Sequence, residues 1–254
     1  MAVTTSGKDK QLRHARLVVG GYDLSGDSRT VGTIDNTFEQ VDITGWDEEV
    51  RNFLSAGERM VGITGYQAMI NDGTGGAFTV LKDAGTNKDV SFLFGGGGSP
   101  DVGDPAYHLP SIQFSSSASF DAQKGILSAD FMPASGGNLG NPMGVVLHNG
   151  TVGGTVTRDS HDNGASSANG YSVIYHKSTT TDGTSWQVDV EHSTDDSAWS
   201  TLVTFAFNGD VVTGSGIESY SYSGTGTVNR YVRVVVTNVG VGGSFQFAVT
   251  FARN

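Results

Sequence analysis

Short runs in which apolar and polar residues alternate are the main pattern of this chain, and they are clearest in its C-terminal third. One run places Trp186, Val188 and Val190 on one side and polar residues on the other. Two more runs cover residues 231–236 and 245–252. A period of two is the spacing of a strand with one buried face, and turn residues separate the runs. This part of the chain is therefore predicted to be a β-sandwich.

The N-terminal half alternates less clearly but contains strong turn signals. Residues 15–19 and 22–24 flank Gly20 and Gly21, a glycine pair that predicts a hairpin with a two-residue turn. Residues 75–84 are predicted to form one short helix. Further strands are predicted at residues 30–43, 60–70, 90–94, 111–120 and 125–132, the last two forming a long hairpin.

Three segments interrupt these elements. Residues 46–57 carry charges, an aromatic residue and two bulky apolar residues without a sustained period, which predicts a long loop with room for a helical turn. Residues 95–104, GGGGSPDVGD, have the composition of a flexible link. Residues 134–141 are typical of a domain boundary because they contain three glycines and little apolar bulk. The predicted organisation is an N-terminal arm at 1–14, a first domain at 15–135, a linker at 136–144 and a second domain at 145–254.

The composition fits strands and tight turns, since the chain has 37 glycines and only 16% charged residues. It has no cysteine, which excludes disulfides and thiolate metal sites. Its formal net charge of −11 is spread along the chain, with 10 basic and 17 acidic residues before residue 141 and 5 and 9 after it. An acidic surface repels nucleic-acid phosphates, so conventional DNA binding is disfavoured.

No targeting or membrane segment is indicated by the sequence. The first sixteen residues, MAVTTSGKDKQLRHAR, contain no apolar run of the kind that a signal peptide requires. No stretch approaches the roughly 18 apolar residues of a membrane-spanning helix.

Motifs that could carry catalysis or bind a metal are incomplete. Residues 26–28, GDS, match a block of one esterase class, but that mechanism needs a late histidine and none follows His192. In residues 159–164, His161 stands where a calcium loop has an oxygen ligand, and Gly170 stands where it has its glutamate. The six histidines form no pair at zinc-binding spacing. We therefore expect no enzyme, no catalytic residue, no metal and no cofactor.

Trp199 is the candidate exposed aromatic residue of the second domain. It follows the polar turn at residues 193–198, whereas Trp186 belongs to the alternating set that predicts burial. An exposed indole can stack on a sugar ring, so one interpretation of the sequence is a non-catalytic carbohydrate-binding or adhesion module.

A second interpretation of the sequence comes from the order of its predicted elements. The sequence has a DLS hairpin at residues 21–26, then D-x-T at 42–44, a charged loop at 48–57, G-x-x-G at 62–65, a helix at 76–84 and a long hairpin at 112–133. This order resembles that of the tail tube proteins, or major tail proteins, of long-tailed, siphovirus-like bacteriophages. The ending GTVNRYVRVVVTNVGVGGSFQFAVTFARN is similar to a β-sandwich module at the end of many of these proteins. The resemblance covers nearly the whole chain and lies in the order of elements rather than in one motif.

The resemblance implies an all-β fold: a tail-tube-type β-sandwich or barrel with one short helix and a long hairpin, followed by a second, outward β-sandwich. It also implies a structural virion protein that forms stacked, hexameric rings, through which genomic DNA passes without sequence readout. Its partners would be other copies of itself and the tape measure, terminator and distal tail proteins. The chain would lie in the virion tail, after assembly in the bacterial host cytoplasm.

Particular residues are expected to serve this role. The candidates for contacts between subunits or rings are Trp46, Glu48, Glu49, Arg51, Phe53, Leu54 and Arg13. The candidates for lumen carboxylates, which would repel DNA, are Asp23, Asp27 and Asp121. The outward domain, with Trp199, would be free for weak glycan binding. Besides the carbohydrate-binding module, another virion part, such as a decoration or distal tail protein, stays open as an alternative.

Overall fold

The computed structural model describes residues 14–44, 46, 49–95, 98–120, 125–134, 141–181, 185–208, 217–238 and 243–254. These residues form strands and one short helix, so the all-β prediction is confirmed. The N-terminal elements are β1 (Arg16–Val19), β2 (Tyr22–Asp23), β3 (Ser28–Thr30), β4 (Thr33–Asp42), β5 (Phe53–Met69), α1 (Ala77–Leu81), β6 (Val90–Leu93), β7 (Pro105–Leu109), β8 (Ser111–Phe120) and β9 (Gly125–Pro133). The C-terminal elements are β10 (Met143–Val152), β11 (Val156–Thr157), β12 (His161–Asp162), β13 (Tyr171–Thr181), β14 (Ser185–Ser193), β15 (Trp199–Asn208), β16 (Glu218–Gly224), β17 (Tyr231–Asn238) and β18 (Ser244–Arg253).

The strands form three antiparallel sheets. An eight-stranded central sheet has the order β16-β13-β18-β10-β7-β6-β1-β2, so it contains strands from both halves of the chain. The N-terminal sheet has the order β3-β5-β9-β8, with β4 also paired to β5. The C-terminal sheet has the order β11-β17-β14-β15, with β12 also paired to β17. The central sheet is therefore shared, and each smaller sheet belongs to one half.

Two large apolar cores follow from this arrangement. The first lies between β1, β6 and β7 of the central sheet and the N-terminal sheet, and α1 contributes Ala77 and Leu81 to it. The second lies between β10, β13 and β18 of the central sheet and the C-terminal sheet. The alternation predicted for Trp186, Val188 and Val190 is confirmed, since all three are buried in the second core.

The first hairpin forms as predicted. Val19 pairs with Tyr22 across Gly20 and Gly21, whose φ angles are 56° and 89°. Positive φ at both central residues is the geometry of the tight hairpin turn that favours glycine. Gly21 also lies against β13 and β16, because a Cβ there would come within 2.7 Å of the Lys177 and Glu218 carbonyl oxygens. Turn conformation and close packing therefore both require glycine at this position.

Two predicted loops are partly wrong. The loop predicted at 46–57 ends earlier, since β5 begins at Phe53 and pairs Phe53 with Asp42. A register shift between Phe38 and Gln40 interrupts the period of two there, which hid the strand from pattern reading. The flexible link predicted at 95–104 is bound at its end, because the Gly103 N–H donates to the Val146 carbonyl oxygen at 2.9 Å.

The two halves are joined by strand pairing near the predicted boundary. β7 pairs with β10 through Met143 and Tyr107, Gly144 and Ala106, and Val145 and Pro105. β10 thus begins inside the predicted linker at 136–144, while residues 135–140 lie outside the described part. Each core is thus formed by residues of one half of the chain, whereas the central sheet contains strands of both halves.

Candidate assembly surface

A hairpin projects from the N-terminal sheet. β4 pairs with β5 from Phe53 to Thr64, whereas β9 pairs with β5 only from Ile63 to Met69. Residues 36–42 of β4 and 53–60 of β5 therefore extend past β9 as two strands, and we call them, with the described residues between them, the projecting hairpin. Two strands by themselves are only marginally stable in water.

The projecting hairpin carries large apolar side chains that its own subunit leaves exposed. They are Phe38, Ile43, Trp46, Val50 and Met60; Trp46 is fully exposed and Val50 is 72% exposed. Contiguous exposed apolar residues mark interaction sites more often than isolated ones do. This segment is therefore the strongest candidate for a contact surface in the N-terminal half.

Polar contacts fix the hairpin just before its tip. The Asp42 carboxylate accepts hydrogen bonds from the Thr44 N–H at 3.0 Å and from the Thr44 hydroxyl at 2.5 Å. These bonds hold the pKa of Asp42 below its usual value. The Asn52 N–H donates to the Thr44 Oγ1 at 2.9 Å, and the Ile43 N–H donates to the Asn52 carbonyl oxygen. The base of the tip is thus closed around Asp42, Thr44 and Asn52.

The predicted contact residues fall into three groups. Trp46, Glu49 and Arg51 lie exposed on the projecting hairpin. Phe53 and Leu54 pair with Asp42 and Val41 in β5, but their side chains lie outside the described residues. Glu48 and Arg13 lie outside them altogether. The structure thus brings the three described side chains to one end of the N-terminal sheet.

The long hairpin of β8 and β9 adds exposed apolar surface to the same sheet. Phe114 and Phe120 on β8 and Met69 on β5 are largely exposed, Phe120 by 75%. In contrast, Leu127, Ala129 and Phe131 on β9 are buried in the first core. One face of the N-terminal sheet is thus buried in the first core, while other apolar side chains of the same sheet stay exposed.

Both edges of the N-terminal sheet are open in the described residues. β8 forms one edge, with β3 and β4 at the other, and none of their outer edges belongs to a described ladder. Only the start of β8 is bound, through the Asn87–Ile112 bridge and the bonds of Gln113 to residues 85 and 86. β8 contains no charged residue and no proline, the devices that usually prevent an edge strand from pairing with another chain.

Asp23 and Asp27, two predicted lumen carboxylates, have partners within the subunit. Asp23 lies 3.7 Å from the Arg16 guanidinium and accepts a bond from the Ser25 N–H at 2.9 Å. Asp27 accepts from the Asn71 amide at 3.0 Å and from the Ala77 N–H, the first residue of α1, at 2.9 Å. These bonds give Asp27 a structural role beside the helix. Asp121 lies outside the described residues.

Two other carboxylates lie on the outward face of the N-terminal sheet and were not singled out from the sequence. Asp35 pairs with Gly62, next to the pair of partly buried Ile34 and fully buried Ile63. Asp130 accepts from the Gly65 N–H at 2.7 Å and from the Ser115 hydroxyl at 2.6 Å. Both side chains face outward because they alternate with inward-facing neighbours along their strands. This alternation can be assigned to a face only when the strand pairing is known, so the sequence alone did not reveal it.

On the C-terminal sheet, Trp199 is half-buried under a cation. The Arg233 guanidinium carbon lies 3.9 Å from the Trp199 ring centroid, and Arg233 pairs with Glu191 at 2.8 Å. Nearby, Arg230 binds Asp162 through two bonds of 2.7 and 2.6 Å, which hold the pKa of Asp162 at about 2. One face of the Trp199 ring is therefore occupied, and a sugar would have to stack on the other.

The part of the chain that the structure describes shows no group of three or more His, Cys, Asp or Glu residues that could hold a metal ion. Its helical residues form no segment of the length and hydropathy needed to cross a membrane. A cleft of about 450 Å³ lies between the halves, lined among others by Tyr22, Lys88 and Tyr220. The Lys88 amine donates hydrogen bonds to the Val80 carbonyl oxygen and to Gln113 Oε1, so it stabilises the C-terminal end of α1.

Comparisons with known proteins do not assign this chain to a family. No family model matches the chain, and no curated protein matches it. Among solved structures, the chain is similar to the SPP1 Dit protein, described as a paradigm of the hub adsorption apparatus in phages that infect Gram-positive bacteria. The two are 12% identical, the match covers 94% of this chain and 99% of that one, and the TM-score is 0.35. A score this low does not establish a shared fold.

Proposed function

We propose that the chain is a structural subunit of a phage tail tube, which polymerises as stacked, six-membered rings around a channel for genomic DNA. The observation that carries this proposal is the N-terminal sheet. Its edges are open, and its projecting hairpin exposes Trp46 and Val50. The order of elements, which resembles that of tail tube proteins, supports the same conclusion.

Ring formation would pair the open edges of neighbouring subunits. β8 of one copy would lie beside β3 or β4 of the next, so that the sheets close into one barrel. Closure satisfies the backbone N–H and C=O groups of every edge strand, which is the general way in which barrels avoid uncontrolled edge pairing. The uncharged, serine-rich β8 presents no side chain that would oppose this pairing.

Ring stacking would use the projecting hairpin. A fully exposed Trp46 gains most by burial against another subunit, since aromatic residues dominate the energetics of interfaces. Glu49 and Arg51 would set the register as charged neighbours at the rim. Glu48, Phe53, Leu54 and Arg13 keep their predicted contact roles within this proposal.

The acidic balance would keep DNA mobile in the channel. Carboxylates that line a channel repel phosphates, whereas lysines would bind them and release counterions. Asp35 and Asp130, on the outward face of the N-terminal sheet, join Asp23, Asp27 and Asp121 as candidates for this lining. The remaining partners, the tape measure, terminator and distal tail proteins, and the location in a virion tail belong to the same proposal.

The test is electron microscopy of the purified chain at high concentration, with light scattering to measure mass. We expect hollow tubes of stacked rings. The variant Trp46→Ser/Val50→Ser should retain the circular dichroism and melting temperature of the wild type but lose tubes, by at least tenfold in assembled mass. The control Tyr220→Ser/Tyr222→Ser changes two exposed aromatic residues of the C-terminal half and should still form tubes.

Each other outcome contradicts part of the proposal. Single rings that never stack would favour a hub or distal tail protein, and trimers a decoration protein. A chain that stays monomeric at every concentration, and binds sugars unless Trp199 is changed, would favour the carbohydrate-binding module. A hairpin variant that assembles like the wild type would exclude Trp46 and Val50 from the contact between rings.

A further inference from the structure

The central sheet folds back on itself, and its two halves meet along a third, much smaller interface. Ser91 on β6 lies 3.2 Å from Thr250 on β18, although β7 and β10 separate these strands in the sheet. Strands three places apart in a flat sheet would be about 14 Å apart, so the contact requires the sheet to curl over. We call this interface the joint.

The joint differs from both large cores in composition. Its apolar part is a cluster of four residues, Leu93, Ala106, Val146 and Ala248. The rest is polar and buried: Ser91, His108, Ser172, His176 and Thr250. Buried polar groups cost free energy unless they are hydrogen-bonded, so the stability of the joint depends on how these five residues are paired.

The five side chains form one continuous chain of hydrogen bonds. It runs from the Gly21 N–H to His176 Nδ1 at 3.2 Å, then from His176 Nε2 to the Ser91 hydroxyl at 2.9 Å. From Ser91 it continues to the Thr250 hydroxyl, and from Thr250 to His108 Nδ1 at 3.0 Å. It ends at the Ser172 hydroxyl, 2.8 Å from His108 Nε2.

One backbone donor fixes the protonation of the first imidazole in this chain. The Gly21 N–H can only donate, so His176 Nδ1 must accept and His176 Nε2 must carry the proton. The Ser91, Thr250 and Ser172 hydroxyls can each donate or accept, and the Thr250 hydroxyl also lies 3.5 Å from the Ile174 carbonyl oxygen, so His176 is the ring whose tautomer the bonds define. His176 is therefore neutral, and complete burial keeps His108 neutral by lowering its pKa to about 4. An added proton on His176 Nδ1 would face the Gly21 N–H and break the chain, and a proton added to His108 would place a charge on a fully buried ring.

We propose that this hydrogen-bond chain is an acid-sensitive latch, which holds the two halves together at neutral pH and releases them when His108 and His176 take up protons. Release would open the joint while both large cores stay folded, because those cores are mainly apolar; the one described buried histidine that packs on them, His148 against Phe247, lies in the second core and is tested separately by His148→Phe. The device belongs to the single subunit and does not depend on the proposed function.

The charged groups around the joint are few and do not neutralise a histidinium. Burial lowers the pKa of His108 to about 4, and burial together with His108 lowers that of His176 to about 3. On β13, Lys177 follows His176 and lies 3.7 Å from Glu218 of β16. Asp89, before β6, binds Ser219 and Ser221 of β16, and burial raises its pKa, so its protonation in acid favours the closed joint and opposes the histidines.

The sign and the size of the effect follow from proton linkage. An ordinary histidine has a pKa of 6.5, so an opened joint binds more protons than a closed one between pH 6.5 and about 4. The neutral histidines contribute fully to the stability of the closed joint above pH 6.5. This contribution is lost as the pH falls toward their lowered pKa values. Between pH 7 and pH 5 opening should become about twentyfold more favourable for each histidine, hence several hundredfold for both.

The experiment is hydrogen exchange read by mass spectrometry between pH 7 and pH 4.5, corrected for intrinsic exchange rates. Peptides that contain Gly21 report on the joint directly, because its N–H donates to His176 Nδ1. Peptides that contain His108 report on the adjacent β7–β10 junction, where the His108 N–H donates to the Pro142 carbonyl oxygen, and peptides from β14 and β9 report on the cores. We expect the joint amides to lose protection in acid before the core amides do. Nitrogen-15 shifts of the imidazoles at neutral pH should show both rings neutral, with His176 protonated at Nε2.

Variants separate the latch from general acid sensitivity. His108→Gln/His176→Gln keeps a non-titrating donor near each Nε2 and should remove most of the several hundredfold pH dependence, whatever its effect on stability at pH 7. His192→Gln is the matched control, since His192 Nδ1 also accepts a backbone N–H, from Asn229 at 3.1 Å, but lies on the C-terminal sheet. Joint amides that exchange in step with core amides, or a double variant with the wild-type pH slope, would overturn the proposal.

Discussion

The two halves of this protein share one plan but treat their outer sheets differently. Each half packs a five-stranded sheet on its part of the central sheet around an aromatic and aliphatic core. On the C-terminal sheet, Arg233 covers Trp199 and pairs with Glu191, so large side chains there have partners within the subunit. On the N-terminal sheet, Trp46 and Phe120 have little cover. The same layered architecture is thus completed within the subunit in one half and left open in the other.

The difference lies in side chains and strand lengths rather than in the cores. β5 is 17 residues long and outruns β9, which is why the projecting hairpin exists. The longest strand of the C-terminal sheet, β15, has ten residues and pairs with β14 through nine register positions. An unmatched strand therefore exposes surface that a matched strand covers.

The largest expected effect compares a covered and an uncovered phenylalanine on one hairpin. Phe131→Ala should lower the free energy of unfolding by about 3–5 kcal/mol, because Phe131 is fully buried against Tyr66 in the first core. Phe120→Ala should lower it by less than about 0.5 kcal/mol, since Phe120 is 75% exposed. Urea unfolding measures both. Equal losses would show that the hairpin end is not an uncovered surface.

A smaller effect sharpens the comparison through pH. Burial is the main cause that lowers the pKa of His148 to about 3 in the C-terminal half, where its ring lies 4.1 Å from the Phe247 ring. Its neutral form stabilises the fold above pH 6.5, and this stability is lost as the pH falls toward about 3. At pH 5 the loss is about 2 kcal/mol.

His148→Phe keeps a ring against Phe247 and removes the titration. The fall in unfolding free energy between pH 7 and pH 5 should therefore shrink by about 2 kcal/mol in this variant. Chemical unfolding at each pH measures it. An unchanged pH slope would mean that His148 is charged or solvated in the folded protein.

The smallest expected effect concerns the two outer surfaces directly. Arg233→Ala should cost about 1 kcal/mol, because it removes a half-buried ion pair with Glu191 and a cation above Trp199. Arg59→Ala on the projecting hairpin should cost less, about 0.5 kcal/mol, since Arg59 donates a solvent-accessible hydrogen bond to Asn36 Oδ1 at 2.9 Å and its guanidinium lies 5.5 Å from the exposed Phe38 ring. Thermal unfolding distinguishes them, and a larger loss for Arg59 would reverse the comparison.

Local pattern predicted much of the fold. The glycine pair at 20–21 predicted the first hairpin, and the alternation around Trp186 predicted the C-terminal strand and its buried face. These features depend on neighbouring residues, so a single sequence carries them. Trp46, Glu49 and Arg51 were predicted in a loop, and the structure shows them exposed ahead of β5, which begins earlier than the pattern indicates; their contact role stays a prediction.

Other features required contacts between distant residues. Asp27 was predicted as a lumen candidate, but its bonds to Asn71 and Ala77 join positions more than forty residues apart. The covering of Trp199 by Arg233 depends on the pairing of β14 with β15 and β17, and Trp199 itself gives no sign of it.

The sequence by itself determined that this chain would be built of strands with alternating faces, because a period of two needs only the next few residues. Only the tertiary structure decided that the central sheet would curl and bring His108 and His176 into one buried chain of hydrogen bonds. In sequence these histidines are 68 residues apart on separate strands and form no motif. They become a unit because the faces turned away from the two cores must bury each other, and the polar groups on those faces must then find partners.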